Sequence, residues 1–213
     1  MPCKRWSGLG KWYLVRHAKT AWNAQGRIQG HSESHLEAEG LAQAERLAAR
    51  LSSVSFHAAY SSDMARTKAT VAAILSGRQV PLEITQELRE LSYGQWEGMT
   101  HQEVGAAFGQ EYQEYLRGDV GFAPPGGESA VQLLERLGPF KERLLSSHAG
   151  QDLLLVAHGG TIKGLLILLM DMPADLFWRF SVGHASISVI NTYKDTATLE
   201  RWNDISHLES GVG

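Results

Sequence analysis

Cysteine is nearly absent from this chain, because Cys3 is the only one among 213 residues. A single thiol excludes an internal disulfide and a metal site built from cysteines, and it is typical of a reducing compartment. We interpret Cys3 as an ordinary terminal thiol. His31 and His35 have the spacing of metal ligands on a helix, but no third ligand accompanies them. Both are therefore predicted to be exposed loop histidines, and no metal site is predicted.

The chain also lacks a strong excess of either charge and a long apolar run. Its formal net charge is -3 and its pI is near 6.3, which argues against a broad surface for nucleic acid or anionic membranes but allows a local cationic pocket. The longest apolar run, residues 165–170, is too short to span a bilayer, and residues 1–10 lack the apolar segment of a secretion signal. We expect a cytoplasmic protein with neither a nucleic-acid nor a membrane partner.

Strands and helices are predicted to alternate along one domain that covers residues 1–213. The predicted strands are residues 11–15, 56–60, 80–85, 152–157, 186–193 and 197–202, and the predicted helices are residues 37–51, 64–75, 129–146, 162–170 and 173–180. The helical segments repeat apolar residues at three- and four-residue spacing, whereas residues 153–156 form the unbroken apolar run of a central strand. The pattern predicts an α/β fold, a three-layer α/β/α sandwich with a mostly parallel central sheet.

Two of the predicted strands end in a histidine. The first strand is followed by Arg16 and His17, and the central strand is followed by His158 and then by Gly159 and a second glycine. Ligands bind at the carboxyl ends of the strands in such sheets. A neutral histidine there is a nucleophile when a hydrogen bond fixes its other ring nitrogen, and an arginine offers a planar set of donors to phosphate oxygens. The glycine turn leaves backbone N–H groups unobstructed for an anion.

Arg66 is a further candidate because of its position in a predicted helix. Ser61, Ser62 and Asp63 are candidate N-caps for the helix of residues 64–75, which places Arg66 in the first turn. The helix dipole disfavours a cation at that end, so an arginine there is better explained if an anion docks beside it. The alternative is an ordinary surface charge.

Four motifs occur in a fixed order along the chain. They are Leu14-Val15-Arg16-His17 with Thr20 and Asn23, Ser62-Asp63-Met64-Ala65-Arg66, Leu88-Arg89-Glu90 with Gly94-Gln95-Trp96-Glu97-Gly98, and Val156-Ala157-His158-Gly159-Gly160. Together they span about residues 11 to 192 and resemble the histidine phosphatase superfamily in its phosphoglycerate-mutase-like branch. The resemblance implies a phosphoglycerate-mutase-like fold. We expect a helical insertion at about residues 99–127, with its aromatic residues, to form a lid that selects the leaving group.

The resemblance also implies a ping-pong phosphoryl transfer. His17 attacks phosphorus and becomes a phosphohistidine, while Arg16, Arg66 and His158 hold the phosphoryl oxygens. Glu90 then protonates the leaving alkoxide and later assists the hydrolytic water. Such a transfer depends on positioning and fixed positive charge, which the two arginines supply in place of magnesium. The implied enzyme is a metal-independent phosphatase of small phosphomonoesters that uses no cofactor.

The remaining predicted site residues are less specific. Five residues are predicted to bind phosphate or substrate: Thr20, Asn23, Gly159, Lys19 and Tyr93. Thr20 and Asn23 also suit turn or capping roles. Ala18 and Lys19 replace the glycine and glutamate that are common in the family, and Lys19 adds a charge that favours acidic substrates. His184 stands where the family often has asparagine, which puts its contact with the pocket in doubt.

The choice of Glu90 as the acid rests on family position rather than on spacing. Glu87 and Glu97 lie close to Glu90 in sequence, and only the match to the family motif selects Glu90 as the acid.

The resemblance is to the α-ribazole phosphatase and broad-specificity phosphatase members. A cofactor-dependent phosphoglycerate mutase is the nearest alternative, although mutases are longer, with segments that shield the phosphoenzyme from water. A non-catalytic phospholigand-binding module is the alternative from another class, and the sequence does not predict the oligomeric state.

Overall fold

The computed structural model describes residues 10–194 and 196–209. Cys3 lies outside the described residues. Among those described, six strands form one sheet: β1 (Gly10–Arg16), β2 (Ala58–Ser62), β3 (Leu82–Thr85), β4 (Leu153–Ala157), β5 (Ile187–Thr192) and β6 (Ala197–Asp204). Their order across the sheet is β3-β2-β4-β1-β5-β6. The first four of these are mutually parallel, β5 runs antiparallel to β1, and β6 runs antiparallel to β5. The mostly parallel sheet is confirmed.

Helices cover both faces of this sheet. They are α1 (Ala21–Ala24), α2 (Ala38–Arg50), α3 (Ala65–Ile74), α4 (His101–Ala107), α5 (Gly109–Leu116), α6 (Ala130–Ser147) and α7 (Gly159–Leu169), joined by 3-10 turns at Gln86–Leu88, Gly94–Trp96, Ala174–Arg179 and Ser206–Leu208. Strand β4 shows how the layers form, because successive side chains of a strand point to opposite faces. Leu155 packs in the core beneath α6 and α7, whereas Leu154 and Val156 pack in the core beneath α2 and α3. The three-layer sandwich is confirmed.

Helix α7 begins earlier than predicted. It starts at Gly159, directly after the N-cap residue His158, so the two glycines belong to the helix rather than to a turn before it. The following run is apolar on nearly all sides because this helix is buried, and burial removes the polar face that would mark where the helix begins.

The start of α3 also differs from the prediction. Strand β2 continues to Ser62, and the N-cap of α3 is Met64, which makes no side-chain cap. Asp63 instead pairs with Arg89, and the carboxylate of Glu33 accepts the hydrogen bond of the Ala65 N–H at 3.0 Å. The predicted capping by Ser61, Ser62 or Asp63 is therefore wrong, because a residue distant in sequence supplies the acceptor.

Residues 99–127, called the lid segment below, contain α4 and α5. Their apolar residues pack around Trp96 and Ile28 in a small cluster that is separate from the two main cores. Trp96 is fully buried there, within aromatic contact distance of Phe108 and Tyr115. The segment thus has a core of its own beside the sheet. In the described part of the chain, no helix is both long and apolar enough to span a membrane.

Candidate active site

The two strands that end in a histidine are neighbours in the sheet. Arg16 of β1 pairs in register with Ala157 of β4, and the backbone N–H of His17 donates to the carbonyl of Ala157 at 2.9 Å. His17 and His158 consequently lie side by side at the carboxyl edge, with ring centroids 5.2 Å apart. Both rings are buried, with at most 3% of either residue exposed. The register of two parallel strands therefore brings the residues together.

His17 is held as a neutral imidazole in one tautomer. Its Nδ1 lies 2.9 Å from the carbonyl oxygen of Ala18, and because a carbonyl only accepts, Nδ1 carries the proton and Nε2 keeps its lone pair. Burial lowers the pKa of His17 well below its usual value, and the charges of Arg16 and Arg66 lower it further. The ring is thus unprotonated at Nε2 at neutral pH, as nucleophilic attack requires.

Arg66 fixes the second histidine in a complementary state. Its Nε donates to Nδ1 of His158 at 3.2 Å, while its Nη1 and Nη2 donate to the carbonyls of Ser32 and Gly30 at 2.9 and 2.7 Å. His158 therefore carries its proton on Nε2, and burial together with the charge of Arg66 lowers its pKa well below the usual value. In the part of the chain that the structure describes, this Nε2 is buried and has no hydrogen-bond partner. It is a neutral donor available to a phosphoryl oxygen.

Arg16 supplies the second cation. Its Nη1 donates to the carbonyl of Val182 at 2.6 Å, and its Nε is buried without an acceptor from the described residues. Burial lowers the pKa of Arg16, but an arginine still retains its charge at neutral pH. The guanidinium is therefore anchored at one end and can donate to a bound anion at the other.

Glu90 is fixed at both its side chain and its backbone. Its carboxylate accepts hydrogen bonds from the N–H groups of Leu91 at 2.9 Å and Gly160 at 3.1 Å. Its carbonyl accepts hydrogen bonds from Nε2 of His31 at 2.8 Å and from Nη2 of Arg136 at 3.3 Å. Position 160 requires glycine for this approach, because a Cβ there would lie 2.4 Å from Oε1 of Glu90.

The two nearby glutamates have other partners. Glu87 pairs with Arg143 at 2.5 Å, and Glu97 accepts a hydrogen bond from the hydroxyl of Ser32 at 2.7 Å. Among the described residues that line the cleft, Glu90 is the only carboxylate. The structure therefore places Glu90, rather than Glu87 or Glu97, in the cleft that the two histidines line.

A cleft of about 550 Å³ opens over this edge of the sheet. The lining residues are Arg16, His17, Asn23, Arg27, Ile28, Gln29, Gly30, Arg66, Glu90, Tyr93, His101, Tyr115 and His158. They include all five residues predicted to be catalytic, together with Asn23 and Tyr93 from the predicted binding set. Three histidines and three arginines face one carboxylate, which is a charge distribution suited to an anion.

Three other predicted residues are placed differently. Thr20 is buried and caps α1, in a capping box with Asn23. The ammonium group of Lys19 pairs with Glu39 at 2.6 Å and more weakly with a second glutamate. Gly159 lies against the guanidinium of Arg16, and a Cβ there would be 3.5 Å from its Cζ. None of the three belongs to the described residues that line the cleft, so their contact with substrate stays a prediction.

Comparisons with known proteins agree with this geometry. A sequence model of the histidine phosphatase superfamily (branch 1) matches residues 12–205. The chain belongs to this superfamily. This histidine phosphatase is 32% identical over 191 residues to the adenosylcobalamin/alpha-ribazole phosphatase of Escherichia coli K12, an alignment that covers 90% of this chain and 94% of that protein. It is also 32% identical over 200 residues to a metal-independent phosphoserine phosphatase of Arabidopsis thaliana, covering 92% and 82% of the two chains.

Solved structures give the same relationship for the fold. The alpha-ribazole phosphatase from Shigella flexneri matches this histidine phosphatase with a TM-score of 0.85 and 32% identity, over 91% of this chain and 96% of that one. A mycobacterial glucosyl-3-phosphoglycerate phosphatase matches with a TM-score of 0.84 and 28% identity, over 91% and 98% of the two chains. The resemblance read from the four motifs is confirmed.

Several cleft residues of this histidine phosphatase were not identified from sequence. Gln29 lines the cleft, is buried, and has an Oε1 atom to which no described residue donates a hydrogen bond. Arg27 and His101 carry no local pattern that marks them, because the loop and the lid segment approach the sheet edge only in the folded chain. Tyr115 is one of the aromatic residues expected in the lid, and it lines the cleft.

Three further histidines were considered in the sequence, and the structure places each of them. His31 is half-buried and bound to the backbone of Glu90, so the prediction of an exposed loop histidine is wrong for it, whereas His35 is exposed as predicted. His184 lies close to His17, with the two ring centroids 5.9 Å apart. Burial lowers the pKa of His184 to about 3. Within residues 10–194 and 196–209, no three His, Cys, Asp or Glu side chains cluster as a metal site requires.

Proposed function

We propose that this histidine phosphatase hydrolyses small phosphomonoesters through a phosphohistidine at His17, without a divalent metal or another cofactor. The observation that carries the proposal is the tautomer of His17. Its Nδ1–H donates to the Ala18 carbonyl, so that Nε2 presents a lone pair at the cleft beside two arginines.

The first half-reaction transfers the phosphoryl group to the enzyme. Nε2 of His17 forms a bond to phosphorus as the bond between phosphorus and the ester oxygen breaks. The leaving oxygen takes its proton from the carboxyl group of Glu90. Arg16, Arg66 and the Nε2–H of His158 donate to the three non-bridging oxygens, where charge is concentrated in the transition state.

The second half-reaction returns the enzyme to its starting state. Glu90, now a carboxylate, accepts a proton from a water molecule whose oxygen attacks phosphorus. The bond between phosphorus and Nε2 of His17 breaks, and inorganic phosphate leaves. Nε2 recovers its lone pair while Nδ1 keeps its proton throughout, because the Ala18 carbonyl holds that tautomer. One group thus serves first as acid and then as base.

The substrate that we favour is α-ribazole 5'-phosphate. Two of the relatives described above are named alpha-ribazole phosphatases, and the alignment to the Escherichia coli protein covers nearly all of both chains. Phosphoserine is the second candidate, since other relatives are phosphoserine phosphatases. Phosphoserine carries an ammonium group, and Glu90 is the only carboxylate among the described lining residues with which that group can pair. Because Glu90 is needed at the leaving oxygen, phosphoserine ranks second.

Phosphate release tests the proposal. The wild type is assayed in EDTA with α-ribazole 5'-phosphate, phosphoserine and 3-phosphoglycerate, beside His17→Ala and Glu90→Gln. We expect wild-type turnover in EDTA, an acid-labile phosphoryl group on the wild type by mass spectrometry, and loss of both in His17→Ala.

Other outcomes identify the alternatives. Isomerisation of 3-phosphoglycerate faster than phosphate release indicates a mutase. Binding of phosphate without turnover of any ester indicates a non-catalytic module. Loss of turnover in EDTA, or a His17→Ala variant with the wild-type rate, contradicts the proposed chemistry.

A further inference from the structure

The side of the cleft that faces the lid segment differs from the phosphate side. It is lined by the flat side chains of His101 and Tyr115 from α4 and α5, by Tyr93, and by Arg27. The phosphate side holds the two arginines that bind the dianion. The question is therefore whether Arg27 offers a third charge to the leaving group or a different kind of contact.

The hydrogen bonds of Arg27 answer that question. Its Nη1 donates to the carbonyl of Gly98 at 2.6 Å and to the carboxylate of Glu103 at 3.1 Å, and its Nε donates to Oε1 of Gln25 at 3.2 Å. The charge is thus offset by Glu103, and these N–H groups point in the guanidinium plane to protein acceptors. Three hydrogen bonds from Nε and Nη1 therefore fix the plane of the guanidinium in the cleft lining, and a fixed guanidinium plane is a surface on which aromatic rings stack favourably.

His101 lines the same cleft as Arg27 and follows a residue that pairs with Arg27. Thr100, the residue before it, forms an isolated antiparallel bridge with Arg27, so the two side chains extend from adjoining backbone. The ring of His101 is exposed, and its Nδ1 lies 3.2 Å from the hydroxyl of Tyr112, which holds its orientation. Two planar groups of fixed orientation therefore border the outer cleft.

We propose that Arg27 and His101 form a stacking site for a planar heteroaromatic group on the leaving alcohol. The inference rests on the proposed phosphatase function, because it assigns the leaving-group side of the same cleft. It names the substrate class as nucleoside-like monoesters, in which a sugar joins the phosphate to a flat base. The hydroxyl of Tyr93, whose pKa burial raises well above its usual value, is a neutral group in the same lining.

The test compares two esters that differ only in the base. The ratio of kcat/KM for α-ribazole 5'-phosphate to that for ribose 5-phosphate measures what the base contributes. We expect a wild-type ratio of about ten or more, which is the range that stacking on one flat side chain supplies. His101→Ala and Arg27→Lys each lower that ratio, because the first removes a ring and the second keeps the charge but removes the plane.

Two variants separate stacking from general damage. His101→Phe keeps a flat ring and retains the ratio. Arg117→Lys is the matched control for Arg27→Lys, because Arg117 is an exposed arginine of the lid segment that is not among the described residues lining the cleft. It leaves the ratio unchanged.

A wild-type ratio near one overturns the inference. A preference for 3-phosphoglycerate that persists in Arg27→Lys also overturns it, because that result assigns the charge of Arg27 to a substrate carboxylate. The same two ligands are also titrated calorimetrically against His17→Ala, in which no turnover occurs. If the wild type hydrolyses no ester, the proposed function fails, yet the ratio of the two dissociation constants still decides for or against the stacking site.

Discussion

Nε of Arg66 donates a hydrogen bond to Nδ1 of His158 across 3.2 Å. A guanidinium has donors only, so this contact forces the imidazole proton onto Nε2, on the opposite side of the ring. The same guanidinium binds the carbonyls of Gly30 and Ser32. One buried arginine thus orients a neutral donor, shapes the loop that lines the cleft, and adds its own charge to the anion site.

Replacing Arg66 by lysine should cost far more than the loss of a surface charge. A single ammonium group cannot reach two carbonyls and His158 while it faces a phosphoryl oxygen. We expect Arg66→Lys to lower kcat about 10²-fold or more, the size seen when one positioned transition-state donor is removed. Arg78→Lys is the control, since Arg78 also binds two backbone carbonyls but is not among the described lining residues. A rate for Arg66→Lys that equals the control contradicts the assignment.

Arg136 is predicted to position Glu90 without touching the substrate. It reaches the carbonyls of Glu87 at 2.7 Å and Glu90 at 3.3 Å from helix α6. Arg136→Met should lower kcat about tenfold for an alkyl phosphate, because the acid shifts from the leaving oxygen. The loss should be smaller for p-nitrophenyl phosphate, whose leaving group needs no proton, and inhibition by inorganic phosphate should be unchanged.

The control for Arg136 lies on the same helix. Arg143 pairs with Glu83 and Glu87 but makes no contact with Glu90. Arg143→Met should therefore leave the rate for each of the two esters unchanged. Equal losses for the two esters in Arg136→Met would indicate a general loss of structure instead of a displaced acid.

Stability should fall as the pH drops below about 6.5. His17, His158 and His184 have pKa values lowered by burial, so they are neutral in the folded chain, whereas the unfolded chain takes up these protons below about pH 6.5. The unfolded state then binds more protons, and each such imidazole lowers the free energy of unfolding by about 1.4 kcal/mol per pH unit. Urea unfolding between about pH 7.5 and 5 measures this slope. His184→Asn should have a shallower slope, and an unchanged slope contradicts the prediction.

Gly40 is predicted to be required where α2 meets the loop that follows β1. A Cβ at this position would lie 1.9 Å from the backbone oxygen of Lys19. Gly40→Ala should therefore lower the free energy of unfolding by about 1–3 kcal/mol, although alanine is the better helix former. Gly109→Ala in α5 is the control, because a Cβ there meets open space, and it should raise that free energy by up to about 1 kcal/mol. Denaturant unfolding measures the free energy of unfolding of both variants. If the two substitutions change it in the same direction, the steric argument is contradicted.

The local patterns in the sequence predicted most elements because the spacing of apolar residues in each element follows its buried face. The apolar run of β4 and the periodic stripes of α2 and α6 lie within one or two residues of their predicted positions. The start of α7 was missed because that helix is buried on nearly all sides. The cap of α3 was missed because Glu33, which supplies the acceptor, is distant in sequence.

The sequence by itself determined the order of the strands and helices, the family, and the residues that end β1 and β4, because strand periodicity and short motifs are local properties. Only the tertiary structure decided which groups meet at the cleft. His31 and Arg136 donate hydrogen bonds to the backbone of Glu90, and Arg27 pairs with Thr100, the residue before His101. Lys19 forms an ion pair and is not among the described residues that line the cleft. These relationships depend on contacts between residues far apart in the chain, which the packing of loops and helices over the sheet edge establishes.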